Sequence, residues 1–467
     1  MRRFILYSTP IVFPLNQKSN MSQHLFDAFE FFETKQWKQL IQYDLKGTSY
    51  EDLLHTSPED ITIKPFYNQD DLPKKNSEIT VTNSWQIGHD IYVQHEAVAN
   101  RVAVKMLNEG VNTIRFTLAH IQPNWTLLLK DIHPNTPLII DSPKLDITEA
   151  LSTLQKMKFK QVVFNNDCIT QLIQEGNWYH NTAEDFKTWL NNTNHLNHFT
   201  VDFRPYQNAG GHIIQQLAYG LCHALEYANR LQSGQSTDVY FKVAVGSYYF
   251  LEIAKFRALR ILWRKLAKVF ELNPDCKIIA EPSKRNKTIF DFNNNLFRAT
   301  TECMSAAIGG ADIIFNTPYD AHFKKSHEFS SRLSKNQLLI LKYEGYLDKV
   351  SNPADGAYYI ESLTKQIAEK ALQLIKDIEA KGGLLKMFFE GTIQRKIKEQ
   401  ANKELQKFND KNITLTGVNI YEDETQTMKS NMELYPFIKT KPRKTLIEPL
   451  MQKRLAEEWE QNRLKHE

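Results

Sequence analysis

The sequence of 467 residues has few cysteines and no long apolar run. Its four cysteines, at positions 168, 222, 276 and 303, form no Cys-x-x-Cys motif and no short spacing suited to zinc. This usage indicates a reducing compartment. No segment approaches the ~18 consecutive apolar residues that a membrane span requires. We therefore expect a cytoplasmic protein without a membrane partner.

The sequence also lacks a strong excess of one charge. Its net charge is +4, and 24% of its residues are charged against 42% hydrophobic, as in ordinary globular proteins. The one dense basic run, KTKPRK at 439–444, has no interleaved aromatic residues and precedes a glutamate-rich helical segment. We interpret this run as a solvated linker and expect no nucleic-acid partner.

Several catalytic motifs are missing. No Gly-x-Gly-x-x-Gly follows a predicted strand, and no P-loop occurs, so neither dinucleotide nor P-loop chemistry is supported. No Gly-x-Ser-x-Gly elbow appears, which leaves hydrolase chemistry without a positive signal. The N-terminus resembles a short signal peptide but lacks a small-x-small cleavage site and contains Pro10 and Pro14. We interpret residues 1–20 as a non-native or disordered extension.

From residue 111 onward, short apolar runs alternate with helical periodicities, which is typical of βα units around a parallel sheet. The runs are continuously apolar, so both faces of the sheet should be covered. We predict an α/β fold, a (β/α)8 TIM barrel over residues 76–415, with helices at 211–231, 248–270 and 293–308. An eighth strand is not evident. The seven predicted strands are VNTIRFTL (111), PLIID (137), QVVFNN (161), FTVDF (199), VYFKVAV (239), KIIAEPS (277) and ADIIFNT (311).

Segments too small to hold a core of their own flank the predicted barrel. Residues 21–75 should form an N-terminal arm for subunit contacts. Residues 416–467 should form a C-terminal segment, in which a four-residue apolar spacing predicts a helix over 446–464. The aromatic residues of the arm are Phe26, Phe29, Phe31, Phe32, Trp37 and Tyr43.

Isolated histidines are weak site candidates. The segment from His195 to His198, with Asp202 nearby, could be a metal site, but its turn-rich composition favours a solvated loop. His89, His95 and His223 are each interpreted as hydrogen-bonded packing residues.

Several longer segments resemble the methylmalonyl-CoA mutase family, and they occur in the same order. The resemblance runs from Trp37 to about Arg463. It implies a barrel enzyme fold that acts with adenosylcobalamin on CoA thioesters. The matching segments are WKQLIQYDLKG (37), ITIKPFYNQDDL (61), EIAKFRALRILW (252), FNNNLFRATTECMSAAIGGADIIFNTPYD (292), EFSSRLSKNQLLIL (328), NPADGAYYIESLT (352) and LTGVNIY (415).

The departures from the family pattern concern its catalytic residues. In FRPYQNAGGHIIQQLAYGLCHALEYANRL (203–231), Ala209-Gly210 align with the family, but the catalytic Tyr-His falls on Arg204 and Pro205. The family's tyrosine hairpin is absent, and residues 83–101 take its place. Residues 281–286 replace the acyl-CoA-facing Gln-Thr-Ser-Gly-x-Ser, and Glu281 would repel a substrate carboxylate. The resemblance thus implies no catalytic residue on this chain.

The family's cobalamin-binding domain carries Asp-x-His-x-x-Gly, and this chain stops at Glu467 before such a domain. The one similar segment, Asp131 to Thr136 with His133, has Thr in place of Gly, and we interpret it as a turn with a surface histidine. We therefore expect no cofactor-binding or metal-binding residue on this chain. The expected arrangement has adenosylcobalamin bound by a partner.

Two features, a glycine pair and a group of basic residues, can each be interpreted either as a ligand-binding feature or as part of the internal structure. Gly210-Gly211 before a helix could expose N–H groups to an anion, or could allow close packing of helix on strand. Lys255, Arg257 and Arg260 could reach a CoA phosphate or partner carboxylates, although an internal salt-bridge network is favoured for Arg257.

Together, the resemblance and its departures imply the small, noncatalytic subunit of a heterodimeric methylmalonyl-CoA mutase. The large catalytic subunit would be its 1:1 partner and would bind adenosylcobalamin and the CoA thioester. One alternative is an independent acyl-CoA mutase barrel that uses a separately encoded B12 subunit. Another is a regulatory or chaperone-like protein, although a nucleotide-binding chaperone should have a P-loop.

Overall fold

The computed structural model describes residues 33–72, 79, 84–120, 122–232, 237–439 and 442–467. The predicted extension 1–20 and the arm aromatics Phe26, Phe29, Phe31 and Phe32 lie outside these residues. The chain divides into two compact units, one ending at Leu54 and the other running from His55 to Glu467. No helix in the described ranges is long and apolar enough to cross a lipid bilayer.

The described residues of the first unit, from Glu33 onward, form α1 (Thr34–Asp44) and a 3₁₀ turn over Tyr50–Leu53. A capping box starts α1, because the Gln36 side chain accepts a hydrogen bond from the Glu33 backbone N–H at 2.8 Å. Two aromatic side chains of the predicted arm, Trp37 and Tyr43, are 41% and 80% exposed.

The second unit is a (β/α)8 barrel, as predicted. It begins with a small antiparallel hairpin of β1 (His55–Thr56) and β2 (Thr62–Ile63). Eight parallel strands follow in the spatial order β6-β5-β4-β3-β10-β9-β8-β7. The barrel strands are β3 (Gln86–Val93), β4 (Thr113–Leu118), β5 (Leu138–Asp141), β6 (Val162–Phe164), β7 (His198–Asp202), β8 (Asp238–Val245), β9 (Lys277–Pro282) and β10 (Ile313–Phe315).

The strand that was not evident in the sequence is β3. Its sequence QIGHDIYV interrupts the apolar pattern with Gly88, His89 and Asp90. Gly88 is needed for close approach, since a Cβ there would lie 2.6 Å from the Phe315 ring on the neighbouring strand. All seven strands predicted from apolar runs are present, with ends shifted by one or two residues in most cases.

Helices cover the outside of the barrel, and the three predicted helices are confirmed as α8, α9 and α10. A π-helical turn at Ile340–Glu344 continues α11, and a 3₁₀ turn spans Gln69–Asp71. The helices are α2 (Glu96–Asn108), α3 (Trp125–Leu128), α4 (Thr148–Lys156), α5 (Cys168–Glu175), α6 (Thr182–Leu196), α7 (Arg204–Asn208), α8 (Ile213–Ala228), α9 (Tyr249–Val269), α10 (Asn294–Gly309), α11 (Glu328–Leu339), α12 (Tyr358–Ala380), α13 (Leu384–Phe389), α14 (Thr392–Asn409) and α15 (Glu457–Lys465).

The barrel closes through side chains between β6 and β7, where the described strands share no backbone ladder. Asn166, just after β6, accepts a hydrogen bond from the Thr200 N–H at 3.2 Å. Asp167 accepts one from the Asp202 N–H at 2.8 Å. These side chains replace the missing backbone partners at the seam.

The predicted loop around His195 is wrong. Helix α6 continues to Leu196, Asn197 ends it in the left-handed conformation at φ 54°, and His198 begins β7. The asparagine-rich sequence favours turns in isolation, but Trp189 and Asn192 are buried on this helix. The Asn192 amide donates to the Leu145 carbonyl at 2.7 Å, so tertiary packing overrides local preference.

The predicted helix over 446–464 is correct only in its second half, where α15 spans Glu457–Lys465. Pro449 has no N–H to donate. The N–H groups of Leu446 and Leu450 donate to the carbonyls of Gly176 and Ile173 at 2.9 and 2.8 Å. Ile447 and Leu450 are buried in this non-helical segment, whereas Leu446 is exposed.

Candidate functional site at the carboxyl end of the barrel

The carboxyl ends of barrel strands are where TIM-barrel enzymes place their active sites. In this chain two features lie there: a buried network of charged side chains inside the barrel, and a polar cavity outside the ends of β7, β8 and β9.

The charged network centres on Glu281 of β9, which two guanidinium groups contact. Arg115 Nη1 and Arg204 Nη1 each donate to its carboxylate at 2.8 Å. Arg204 also donates to Asp202 through Nε at 2.8 Å, and Arg115 donates to Asp90 through Nε at 3.0 Å. Four strands thus contribute charged groups to one connected cluster.

A lysine extends the cluster across the barrel. Lys242 Nζ donates to Asp141 at 2.7 Å, and the same carboxylate lies 3.9 Å from Arg115 Nε. The described network therefore joins three cations with four carboxylates, because Arg115, Arg204 and Lys242 face the carboxylates of residues 90, 141, 202 and 281.

Each carboxylate in the network has at least one cation as a partner. Burial alone would raise the pKa of Glu281, but Arg204 and Arg115 outweigh that effect and hold the pKa well below its usual range. Burial would likewise raise the pKa of Asp141, and Lys242 and Arg115 lower it. These carboxylates stay ionised as permanent structural partners.

An apolar layer fills the barrel on the other side of this network. The Arg115 guanidinium lies over the Phe315 ring, 4.4 Å from its centroid. The two layers occupy the interior with protein side chains. The apolar layer consists of Ile139, Val163, Ile279, Ile313 and Phe315, with Tyr240 packed against them.

The network includes the position at which the resemblance places the catalytic Tyr-His. Arg204 is held by Asp202 and Glu281, and Pro205 is buried in the first turn of α7. Glu281, which the sequence leads us to expect to repel a substrate carboxylate, is paired with both Arg115 and Arg204. Its carboxylate instead anchors the side chains that fill the interior.

The three isolated histidines differ in environment. His223 is fully buried, as predicted, with Nε2 3.0 Å from Asp167 and Nδ1 3.3 Å from the Tyr206 hydroxyl. His89 is also buried, and desolvation lowers its pKa to about 4. His95 is exposed before α2, so its predicted role in packing is wrong.

The polar cavity has a volume of about 680 Å³, within the range of small-molecule sites. Residues after β1 form one wall and residues of α14 form another. Gly210, Gly211 and Gly246 lie along it together with Ser283 at the end of β9.

Gly210 and Gly211 serve close packing. The Gly210 N–H donates to the Gln207 carbonyl at 2.8 Å, and the Gly211 N–H donates to the Tyr206 carbonyl at 2.9 Å. A Cβ on Gly211 would lie 2.7 Å from the Tyr206 carbonyl oxygen. Both N–H groups are therefore used internally, and the anion-binding interpretation is not supported.

The basic residues of α9 also point inward. Arg257 pairs with Glu361, so the internal salt bridge predicted for Arg257 is confirmed. Arg260 likewise pairs with Asp312 at 2.7 Å. Lys255 lies 2.5 Å from Glu252, and all three cations are at most 9% exposed. None of them is available to a CoA phosphate.

Across the described ranges, no group of three or more His, Cys, Asp or Glu side chains is arranged to hold a metal ion. His133 is exposed in a turn, as predicted, and its Nδ1 accepts a hydrogen bond from the Asn135 N–H at 3.2 Å. The four cysteines are free and buried.

The sequence model of the methylmalonyl-CoA mutase family matches residues 146–465. The chain belongs to this family. It is 30% identical to the methylmalonyl-CoA mutase small subunit of Porphyromonas gingivalis, over 95% of this chain and 78% of that protein.

Other family members match a smaller region. The methylmalonyl-CoA mutase of Rhizobium meliloti is 32% identical over 50% of this chain. The human mitochondrial enzyme is 31% identical over 50% of this chain. The chain spans only about a third of these relatives' length, 34% and 32% respectively.

The interior network was missed at the sequence level although a signal existed. Three predicted strands each carry one charged residue in an otherwise apolar or β-branched run: Arg115 in TIRFTL, Asp141 in LIID and Lys242 in VYFKVAV. A charge in a strand that is buried on both faces needs a partner inside the sheet. That requirement could have predicted a buried network in this member of the family.

Proposed function

We propose that this chain is the small, noncatalytic subunit of a heterodimeric, adenosylcobalamin-dependent methylmalonyl-CoA mutase. The observation that carries the proposal is the filled barrel, in which Arg204 stands where the resemblance places a catalytic residue and Glu281 stands where it places the acyl-CoA-facing segment. The similarity to a mutase small subunit over 95% of the chain supports it. In this proposal no residue of the chain is catalytic and none binds cofactor or metal.

The large subunit would bind the CoA thioester and interconvert (R)-methylmalonyl-CoA and succinyl-CoA in cytoplasmic propionate metabolism. Radical chemistry requires a dry, closed site, which the large subunit would enclose. Adenosylcobalamin, when bound there, would supply the radical. The present barrel would contribute stability and buried surface as a 1:1 partner. Obligate interfaces of this kind usually bury more than ~2,000 Å².

The described residues of this chain do not fit the cofactor. A cobalt ligand needs a histidine set in a cleft that encloses the corrin, whereas His133 is exposed and its Nδ1 is already hydrogen-bonded. In this proposal no chemical step through cobalamin takes place on this chain.

The assignment is tested by purifying the chain alone and co-expressed with a large mutase subunit. We expect a 1:1 complex by mass, cobalamin only in samples that contain the large subunit, and turnover only in those samples. A stoichiometric cobalamin spectrum on the single chain would contradict the proposal. Turnover with an isolated B12-binding subunit, without the large chain, would favour the independent mutase.

The arm at 21–75 is the proposed contact element, with residues 76–415 as a degenerate barrel. Trp37 is 41% exposed. Trp37→Ala should weaken heterodimer association by about 2 kcal/mol or more if Trp37 is a central anchor. Tyr421→Ala, at an 82% exposed position, is the control and should leave affinity unchanged. Unchanged affinity for Trp37→Ala, with a less stable monomer, would show that the arm packs on its own barrel.

A further inference from the structure

The polar cavity contains a buried carboxylate that is only partly satisfied. Glu59 lies in the turn between β1 and β2, where its N–H donates to the Ser57 hydroxyl oxygen at 3.2 Å. The residue is 5% exposed, and its Oε2 has no hydrogen-bond partner among the residues that the structure describes. An unpaired buried carboxylate is costly, so such a group indicates a missing partner.

The surrounding charges leave this part of the cavity negative. Glu252 also lines the cavity, and its nearest cation is Lys255 at 2.5 Å. That ammonium donates further to the Ala244 carbonyl at 2.7 Å and to the side-chain oxygens of Gln216 and Gln207 at 3.0 and 3.2 Å. Lys255 is fully engaged with these groups, so one cation faces two carboxylates.

Three cations also line the cavity, but Arg285 is paired with Glu404 at 2.7 Å, and Lys403 and Lys407 are exposed on α14. Asp60 lies beside Glu59 in the cavity wall. His212 supplies no cation at neutral pH, because burial lowers its pKa to about 4. Burial, together with the charge of Glu252, raises the pKa of Glu59, which is the direction expected for an uncompensated carboxylate.

An anionic ligand fits this end of the cavity poorly. The N–H groups of Gly210 and Gly211 are used by backbone carbonyls. The carboxylate of Glu59 already interacts with the Ile213 N–H at the start of α8, where a phosphate would otherwise bind. A cationic ligand fits better, because it would pair with the Glu59 carboxylate, whose charge the protein leaves uncompensated.

An aromatic ring makes the cavity suited to an organic cation. Tyr248 lines it, and burial together with Glu59 and Glu404 raises the pKa of its hydroxyl to about 12. Aromatic faces attract ammonium groups, most of all where solvent is reduced. We propose that this cavity binds a small organic ammonium ion, whose nitrogen meets Glu59 and Glu252 while Tyr248 supplies an aromatic wall.

Isothermal titration calorimetry on the full-length chain tests the proposal with ethanolamine, choline and putrescine. The neutral 1,4-butanediol matches the carbon chain of putrescine, and KCl tests an inorganic cation. We expect saturable 1:1 binding of at least one ammonium compound and none of the diol. Glu59→Gln keeps the shape and removes the charge, and it should weaken binding by about tenfold or more.

Two further variants make the test decisive. Asp410→Asn changes an exposed carboxylate lining the same cavity and should alter affinity by less than about twofold. Tyr248→Leu, at a 40% exposed position, should weaken choline binding even if Glu59→Gln folds poorly. Failure of all three ammonium compounds to bind would overturn the proposal. Equal binding of the diol, binding of K⁺ only, or wild-type affinity in both Glu59→Gln and Tyr248→Leu would overturn it too.

Discussion

Two buried glutamates at the same end of the barrel have opposite surroundings. Glu281, inside the barrel, receives hydrogen bonds from two guanidinium groups at 2.8 Å. Glu59, in the wall of the outer cavity, has an oxygen without a partner in the described part of the chain. The charged groups inside the barrel are thus paired with one another, whereas the Glu59 carboxylate in the cavity wall has no cation of its own among the residues described.

The difference changes how each carboxylate contributes to stability. Burial disfavours both charges, but Arg204 and Arg115 lower the pKa of Glu281 below its usual range, while the pKa of Glu59 is raised. A lowered pKa contributes stability that is present above the unfolded value near 4.5 and is lost as the pH falls. A raised pKa contributes stability that is present below that value and is lost as the pH rises.

The largest expected effect comes from Glu281→Gln. The substitution leaves Arg115 and Arg204 buried without their shared carboxylate, and removing one partner of a buried ion pair costs about 3 kcal/mol or more. Urea denaturation at pH 7 measures the loss in the free energy of unfolding. The gap between wild type and variant should narrow progressively as the pH is lowered below 4.5, because the wild-type contribution is lost between the unfolded pKa and the lower folded pKa.

An exposed ion pair provides the control for that experiment. Lys398 and Glu448 are paired but 57% and 53% exposed. Lys398→Gln should therefore cost less than about 1 kcal/mol. Equal losses in Lys398→Gln and Glu281→Gln would show that the interior network is no more than a solvated surface pair.

His198, at the start of β7, should give the next largest effect, and it appears only in acid. Burial lowers its pKa from 6.5 to about 4, and its Nδ1 lies 3.2 Å from the Leu196 carbonyl. The unfolded chain therefore binds a proton that the folded chain does not, so stability falls as the pH drops from 6.5 towards 4, by up to about 3 kcal/mol.

His198→Gln should remove that part of the pH dependence, and denaturation curves at pH 7 and pH 5 measure it. His133→Gln, at the exposed turn, is the matched control and should leave the wild-type pH dependence intact. The same pH slope in wild type and His198→Gln would contradict the prediction.

Glu59→Gln should change the free energy of unfolding only slightly, and its pH dependence should have the opposite sign to that of Glu281→Gln. The uncharged amide removes a buried charge without a cation, so the free energy of unfolding at pH 7 should stay within about 1 kcal/mol of wild type or rise. The variant should gain relative to wild type as the pH is raised above 4.5. A loss as large as that of Glu281→Gln would end the distinction between the two glutamates.

The sequence permits prediction of the fold because its strands are buried on both faces and read as apolar runs. It fails at β3, where Gly88 and Asp90 interrupt the run because one passes close to Phe315 and the other pairs with Arg115. It fails again near His195, where the burial of Trp189 overrides turn preference.

The site was harder to predict than the fold. Comparison with the family's motifs identified Arg204, Pro205 and Glu281 as departures. The structural role of these residues depends on which side chains they contact in the folded chain. Arg115 and Glu281 are separated by 166 residues in the chain and meet across the barrel. The burial of the Glu59 carboxylate in the cavity wall was not predicted, because the sequence of a turn does not indicate whether a carboxylate in it will be buried.

The smallest expected effect is that of Pro205→His, which restores one member of the family's catalytic pair. Pro205 is buried in the first turn of α7, where its ring fixes the backbone. Next to it, Arg204 remains bonded to Asp202 and Glu281, so the interior stays filled. We expect no detectable isomerase activity from this variant alone and wild-type turnover when it is mixed with the large subunit.

The assay for Pro205→His is succinyl-CoA formation from methylmalonyl-CoA with added adenosylcobalamin. Catalytic groups that act as a unit give strongly non-additive effects, and one restored member recovers almost nothing. The double variant Pro205→His with Glu281→Gln is the stricter test, because it also removes the carboxylate that anchors Arg115 and Arg204. Cofactor-dependent turnover by Pro205→His without the large subunit would mean that the barrel is a dormant enzyme, and that its charged interior opens to admit substrate.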